Sequence, residues 1–243
     1  MNKKTLLIVL SLIATITITG QVLGSSAGGL ENSAVNFRDT AAVQRGAKWF
    51  VNYCLSCHSA NYMRFNRLAE DLGLDEDIVL QHLAFADVNI GDTMDIAMRP
   101  EDSEAWLGKT PPNLSVRSRS RGNDWLFTYL KSFYQDESGG WNNLVLPKTA
   151  MPHVFWQLQG IQKPVWSSHG EERFIEHLEL ISPGLQSPQE YEQTVRDLVT
   201  FLDYIAEPSK LKRKNIGIWV MLFLLVFTLV AYALKVEFWR DVH

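Results

Sequence analysis

Cys54-Leu55-Ser56-Cys57-His58 places two thiols three positions apart, with a histidine directly after the second. This is the spacing of a covalent attachment site for a c-type haem. Two thiols so placed add across the two vinyl groups of one porphyrin, and the adjacent imidazole sits under the iron as its proximal ligand. The chain has 2 cysteines in all, both in this run. A structural zinc site takes four ligands, and no second cysteine pair completes one. A thioredoxin-like redox pair belongs beside a βαβ pattern, which does not surround this motif. A disulfide between thiols this close would close a small, strained loop.

Both ends of the chain carry apolar segments that address it. Met1-Asn2-Lys3-Lys4 is a short positive start, followed by an apolar stretch from Leu6 to about Thr19 and then small residues. Val22 and Gly24, or Ser25 and Ala27, satisfy the small-residue rule at a cleavage site. The apolar core is short and ends in polar and small residues, so a cleaved secretory signal over 1–24, cut within 24–27, is expected rather than an uncleaved anchor. In bacteria covalent haem attachment takes place outside the cytoplasmic membrane, so signal and motif agree. At the other end Ile216 to Leu234 contains no charged residue. About 20 such residues at helical rise cross a bilayer core, and Trp219, Tyr232 and Trp239 lie near its ends as interfacial aromatics do. An apolar surface all round, with no polar stripe, separates this segment from an ordinary core helix.

The two ends disagree on orientation. Lys210, Lys212, Arg213 and Lys214 precede the span, while Lys235 and Arg240 follow it beside Glu237 and Asp241. The positive-inside rule alone would leave the preceding domain in the cytoplasm. The signal says the opposite, and the first topogenic segment usually dominates while long domains translocate largely regardless of charge. The expected organisation is therefore a periplasmic haem domain over 25–209, an anchor with its flanks over 210–236, and a cytoplasmic tail over 237–243. That makes a single-pass protein of the cell inner membrane, with the basic cluster meeting lipid phosphates or a partner subunit on the outer face. The net charge of -4 over 243 residues gives no reason to expect a nucleic-acid partner.

Within the exported part, Asp39-Thr40 can cap a helix from Ala41 to about Asn52, with Val43, Ala47, Phe50 and Val51 on its apolar face. The haem motif follows directly. Ser187-Pro188-Gln189-Glu190 has capping-box spacing with proline at the first helical position. Tyr191, Val195, Leu198, Val199, Leu202 and Ile205 then recur at helical spacing until Glu207-Pro208. One helix thus leads into the motif and another ends the domain, the arrangement of a cytochrome c fold in which the terminal helices cross. Gly46 or Ala47 could permit a close crossing; two ordinary core helices would show the same faces without the contact. Between them Asp124 to Tyr134 reads as a helix, and Pro111-Pro112, Gly139-Gly140, Pro147, Pro152, Pro164 and Pro183-Gly184 mark loops. The expected class is mainly α: a cytochrome c-type haem domain with long loop insertions, plus one C-terminal transmembrane helix.

A proximal histidine leaves one axial position. Met1 and Met221 lie in the two end segments, and Met63 is too near His58 to reach the opposite haem face easily. Met94, Met98 and Met151 remain, with His82, His153, His169 and His177 as alternatives and core packing as the ordinary role of any methionine. Spacing favours Met151, which lies far downstream beside Pro152 in an irregular stretch where no helix register constrains it. His/Met ligation raises the reduction potential and fills the sixth site, which suits electron transfer. Arg117, Arg119 and Arg121 are candidate donors to the haem propionates, or a solvated basic loop. From Glu70 to Glu104 eleven carboxylates face only Arg99, either as a solvated surface or to steer a basic electron carrier.

With these features assembled, the chain resembles the cytochrome c1 family, the haem c subunits of cytochrome bc1 complexes, in its proteobacterial form. The resemblance covers nearly the whole chain. It runs through Arg45-Gly46-Ala47, Asn52-Tyr53-Cys54-Leu55-Ser56-Cys57-His58-Ser59 and Tyr62-Met63-Arg64-Phe65-Asn66-Arg67-Leu68. It continues in Pro111-Pro112-Asn113-Leu114-Ser115, Trp141-Asn142-Asn143, Ala150-Met151-Pro152, Ala206-Glu207-Pro208 and the C-terminal anchor. The family often has aspartate where Asn113 stands, and no second cysteine pair is present, unlike the versions with an extra disulfide. The resemblance implies one haem c held through Cys54 and Cys57, with His58 and Met151 as axial ligands. It implies haem contacts at Pro112 and Arg121, the latter at a propionate; Trp125 stands where the family often has tyrosine. It further implies an electron path from quinol at cytochrome b, through the Rieske iron–sulfur protein, to this haem and on to a soluble or membrane-bound cytochrome c, with no bond chemistry on this chain. Two other classes share the haem motif: a stand-alone membrane-anchored cytochrome, and a haem peroxidase or sensor with a labile sixth ligand.

Overall fold

Asp39 caps the first helix as its position predicts: its carboxylate accepts the amide proton of Ala42 at 3.1 Å. The computed structural model describes residues 29–242 apart from 37, 86, 170 and 171; the expected signal over 1–24 lies outside the described residues. Helix α1 (Thr40–Tyr53) buries Val43, Gly46, Ala47, Phe50 and Val51 and ends at Cys54. The last helix before the apolar C-terminal segment, numbered α8 in chain order, spans Pro188–Ala206, and its capping box between Ser187 and Glu190 is complete. α1 and α8 cross closely, with Phe50 and Phe201 rings 5.3 Å apart at the crossing.

Gly46 sets that distance. A Cβ there would stand 2.0 Å from the Asp197 carbonyl oxygen and 2.7 Å from Phe201 Cβ. Beside it Arg45 grips Asp197 with both arms of its guanidinium, Nε to Oδ2 at 2.6 Å and a second nitrogen to Oδ1 at 2.8 Å. Burial of the Asp197 carboxylate is tolerable because this fork and the Gln193 amide satisfy it. The crossing expected from the terminal helices is present, and Gly46 is the residue that permits it.

Between the crossing helices the chain winds through short elements: β1 (Ala60–Arg64), α2 (Phe65–Leu72), α3 (Glu76–Leu83), β2 (Thr93–Met94) and α4 (Pro100–Leu107). α5 (Arg117–Arg121) and α6 (Asn123–Lys131) follow, then β3 (Phe133–Gln135) paired antiparallel to β4 (Trp141–Asn143). The expected helix from Asp124 to Tyr134 is therefore shorter, because Phe133 and Tyr134 turn into a strand. One core gathers Val43, Phe50, Cys54, Met63, Met94, Phe127, Phe155, Val195 and Phe201.

Pro164 and Pro183-Gly184 mark loops in the sequence, but after the single turn α7 (Trp156–Gln159) the chain forms β5 (Gly160–His169) and β6 (Glu172–Pro183), an antiparallel hairpin. Most of its side chains are at least partly exposed, so the apolar alternation that betrays a half-buried strand is weak. Pro164 is tolerated because each strand of a two-stranded ribbon has a free edge. Gly160 is required where the hairpin leaves α7: φ is 93° and a Cβ would meet the Ser182 carbonyl oxygen at 2.2 Å. The fold class stands as mainly α, and among the described residues every sheet has two strands.

After Pro208 the chain starts α9 (Lys210–Phe238). An 18-residue window within Lys212–Phe238 has mean hydropathy 2.5 and none of it is buried by the rest of the described chain. The charge-free run over 216–234 needs an apolar surrounding, and the helix is long enough to cross a bilayer. Lys210 pairs with Asp203 at 3.1 Å and Arg213 pairs with Glu207. These two ion pairs tie the start of α9 to the end of α8, so part of the basic cluster is engaged within the chain.

Candidate functional site

Where α1 ends, the backbone tightens into a turn that gathers the motif. The Cys54 amide still bonds to the Phe50 carbonyl at 2.8 Å, while the amides of Cys57 and His58 both bond to the Cys54 carbonyl, at 3.0 and 2.8 Å. Cys54 is buried, Cys57 is half-buried, and both thiols are free. Burial, with a smaller contribution from Cys57, pushes the Cys54 thiol up to about 12. A dithiol redox centre needs a thiol with a lowered pKa at its working pH, so this environment opposes a thioredoxin-like role.

His58 has one ring nitrogen committed. Its Nδ1 lies 2.8 Å from the Pro112 carbonyl oxygen. A carbonyl only accepts, so Nδ1 carries the proton and Nε2 keeps its lone pair for a metal. Burial lowers the His58 pKa, the Pro112 carbonyl opposes this, and nearby Arg117 lowers it further. The ring is thus kept neutral, the form that binds a metal.

Pro112 is held against the motif by a row of hydrogen bonds. The Leu114 amide donates to the Ser59 carbonyl at 2.8 Å, and the Tyr62 amide donates to Ser115 Oγ at 3.1 Å. Asn113 accepts from the Ser115 amide at 2.7 Å and its own amide group bonds to Asn61. The resemblance places Pro112 against the haem; the structure adds that its carbonyl orients the imidazole.

Met151 lies on a second arm. The residue is half-buried against the core, and the Tyr129 hydroxyl lies 3.4 Å from its sulfur. Met63 and Met94 are wholly buried and spent on packing. The stretch leading to Met151 is stitched down by the side chains of Asn142 and Asn143. Asn143 Oδ1 accepts from the amides of Val145 and Leu146, its Nδ2 donates to the Tyr129 carbonyl at 2.7 Å, and Asn142 accepts from the Lys148 amide. Asn143 is completely buried, so alanine there strands the two loop amides and a carbonyl. Asn143→Ala is expected to destabilise the domain by about 2–3 kcal/mol, read as a lowered denaturant midpoint with unchanged slope.

Arg121 and Trp125 join this arm. The Arg121 guanidinium carbon lies 5.1 Å from the Trp125 ring centroid, and Trp125 stacks on Tyr129 at 5.0 Å and 10°. Arg121 is exposed and pairs with no described carboxylate, which leaves its hydrogen-bond donors available to an anionic group. The other candidate ligands are placed differently. His153 is buried between a stacked Phe133 ring and the edge of Trp141, and burial, opposed by Gln159, takes its pKa down to about 4. His82 lies in the last turn of α3, and His169 and His177 lie in the β5–β6 hairpin.

These groups fit a covalently held haem: two free thiols within one turn, a neutral imidazole with Nε2 unprotonated, and a thioether on an irregular, braced loop. Among the described residues no group of three or more His, Cys, Asp or Glu side chains converges as a rival metal site. Tyr129 and Thr149 went unnoticed in the sequence, where Tyr129 reads as part of an apolar helix face. Only its neighbours in space reveal a use for the hydroxyl.

The sequence profile of the Cytochrome C1 family matches residues 31–242. Cytochrome c1 of Allochromatium vinosum is 46% identical over 241 residues, covering 96% of this chain and 99% of that protein. The ammonia monooxygenase gamma subunit of Nitrosomonas europaea is 45% identical over 216 residues, covering 88% of this chain and 89% of that one. Cytochrome b/c1 of Bradyrhizobium diazoefficiens is 28% identical over 242 residues, covering 84% of this chain and 34% of that protein.

Proposed function

The chain belongs to the cytochrome c1 family, and from that premise we propose that it is the haem c subunit of a quinol:cytochrome c oxidoreductase of the bc1 type. It takes electrons from a Rieske iron–sulfur protein and passes them to a cytochrome c. One haem c is held through Cys54 and Cys57, with His58 and Met151 as its axial ligands. What supports this reading is the His58–Pro112 bond together with the braced Met151 thioether: with these two as axial ligands, neither position would be open to a substrate. A filled sixth site favours outer-sphere electron transfer over peroxidase or sensor chemistry.

When bound, the haem supplies a one-electron iron couple; the protein supplies placement. Pro112 fixes the tautomer and plane of His58. The Asn142 and Asn143 side chains hold the loop that carries Met151. Arg121, with no described carboxylate to occupy it, is the donor for a propionate, and Trp125 beneath it packs one face of the site. Exposed carboxylates of the 70–104 segment, with Tyr62, Phe85 and Trp106 also exposed, give a basic acceptor a surface to approach.

Membrane attachment follows from α9. The haem domain lies in the periplasm and the tail after Phe238 in the cytoplasm of a single-pass inner-membrane protein, supported by the export signal read from 1–24. The fused name of the Bradyrhizobium relative supports cytochrome b as the neighbour of α9 in the bilayer. Purification in a mild detergent tests the assignment. Cytochrome b and a 2Fe–2S subunit should co-purify with this chain, and quinol should reduce its haem only while the iron–sulfur cluster is intact. A haem protein that purifies alone and is reduced without that cluster would replace the complex with a stand-alone membrane cytochrome.

A further inference from the structure

We propose that Tyr129 is a positioning residue for the sixth ligand: its hydroxyl donates a hydrogen bond to the Met151 sulfur and thereby raises the reduction potential of the haem. The inference rests on Met151 being that ligand. Tyr129 is 93% buried, and a hydroxyl in such a place needs partners. It has two: Met151 Sδ at 3.4 Å and Thr149 Oγ1 at 2.9 Å.

Proton counting gives the direction. A thioether sulfur only accepts, whereas each hydroxyl carries one proton and can also accept. If Tyr129 gave its proton to Thr149, the contact with sulfur would have no proton. If Thr149 gives its proton to Tyr129, the tyrosine proton is free for sulfur and both contacts are satisfied. Thr149→Tyr129→Met151 is the one arrangement that satisfies all three groups. The ring cannot easily swing away. Trp125 stacks on one side at 5.0 Å, the Phe133 ring meets it edge-on at 5.0 Å, and the Asn143 amide holds the Tyr129 carbonyl.

A donor on the sulfur draws electron density from it. The thioether then gives less to the oxidised iron, which needs it more, so the reduced state gains. A neutral hydrogen bond is worth about 1 kcal/mol net. If most of that differs between the two oxidation states, the redox equilibrium moves about fivefold.

Tyr129→Phe in the full, detergent-solubilised protein tests this, because it keeps the ring and deletes only the donor. The equilibrium should shift about fivefold toward the oxidised form, ~40 mV at 59 mV per tenfold. Cyanide should displace the ligand from the oxidised haem several-fold less readily, since the thioether has become the better donor. Thr149→Val should move the potential less than Tyr129→Phe; a rise would show that Tyr129 had been giving its proton to Thr149, and would overturn the inference. The two readings fail differently. If the oxidised wild-type protein lacks the sulfur-to-iron charge-transfer band, Met151 is not the ligand and the inference falls with it. If the band is present and Tyr129→Phe changes neither potential nor cyanide affinity, the role of Tyr129 alone is refuted.

Discussion

Gly46→Val is expected to prevent the haem domain from accumulating, and Gly46→Ala to destabilise it by about 3 kcal/mol or more. On intrinsic helix propensity alone the alanine variant would gain about 1 kcal/mol, since glycine is a poor helix residue. The crossing reverses the sign. A Cβ at position 46 falls 2.0 Å from the Asp197 carbonyl oxygen, and that neighbour is backbone. It cannot rotate out of the way as a side chain could, so α1 and α8 must separate. Separation loosens the Phe50–Phe201 contact and the Arg45 fork on buried Asp197. Overpacking of a good core costs about 1–3 kcal/mol where side chains can yield; here they cannot. Two further methyl groups in valine take the cost to ~5 kcal/mol or beyond, comparable with the whole stability of many domains. The check is covalent haem in membranes, with the thermal midpoint of whatever protein is recovered. Wild-type haem content and midpoint in Gly46→Val would mean that the helices do not cross as closely as described.

Met151→Ala is expected to lower the reduction potential by ~120 mV or more, a hundredfold in redox equilibrium at 59 mV per tenfold. Methionine opposite histidine raises the potential because a neutral, soft thioether does little for the oxidised iron. Without it, water or another harder donor takes the sixth position and favours the oxidised state. The sulfur-to-iron charge-transfer band should vanish, cyanide or carbon monoxide should bind readily, and quinol-dependent reduction of the acceptor should fall steeply. His153, two residues on, is badly placed to substitute: it is 98% buried, stacked on Phe133 and edge-on to Trp141. Redox titration with an absorbance spectrum suffices as the measurement. An unchanged potential and spectrum would transfer the sixth ligand to another residue and remove Met151 from the site.

Much of this was legible along the chain because it is local. Asp39 and the Ser187–Glu190 box announce helix starts within a few residues of themselves, and both caps are made as read. The Cys54-to-His58 run carries its own spacing. The segment from Ile216 to Leu234 declares its surroundings by lacking any charge. The hairpin Gly160–Pro183 was not legible, since its side chains largely face outward and bury no repeating face. Trp125 and Arg121 could be named from the resemblance, but not that one lies over the other.

Sequence by itself carried the Cys54–Cys57–His58 spacing that makes a haem attachment site the expectation, the two helices whose apolar faces meet, and the apolar helix that follows them. Those properties rest on spacing and composition, which are read within a single segment. Tertiary structure alone decided which nitrogen of His58 is free, because the partner that answers the question, the Pro112 carbonyl, lies 54 residues away. It decided why residue 46 must lack a side chain, since the obstacle is a carbonyl of α8. It also decided that the Tyr129 hydroxyl meets the Met151 sulfur. A hydrogen bond across 22 residues of chain leaves no periodicity for a sequence to show, because its geometry exists only once the loop has closed over the helix.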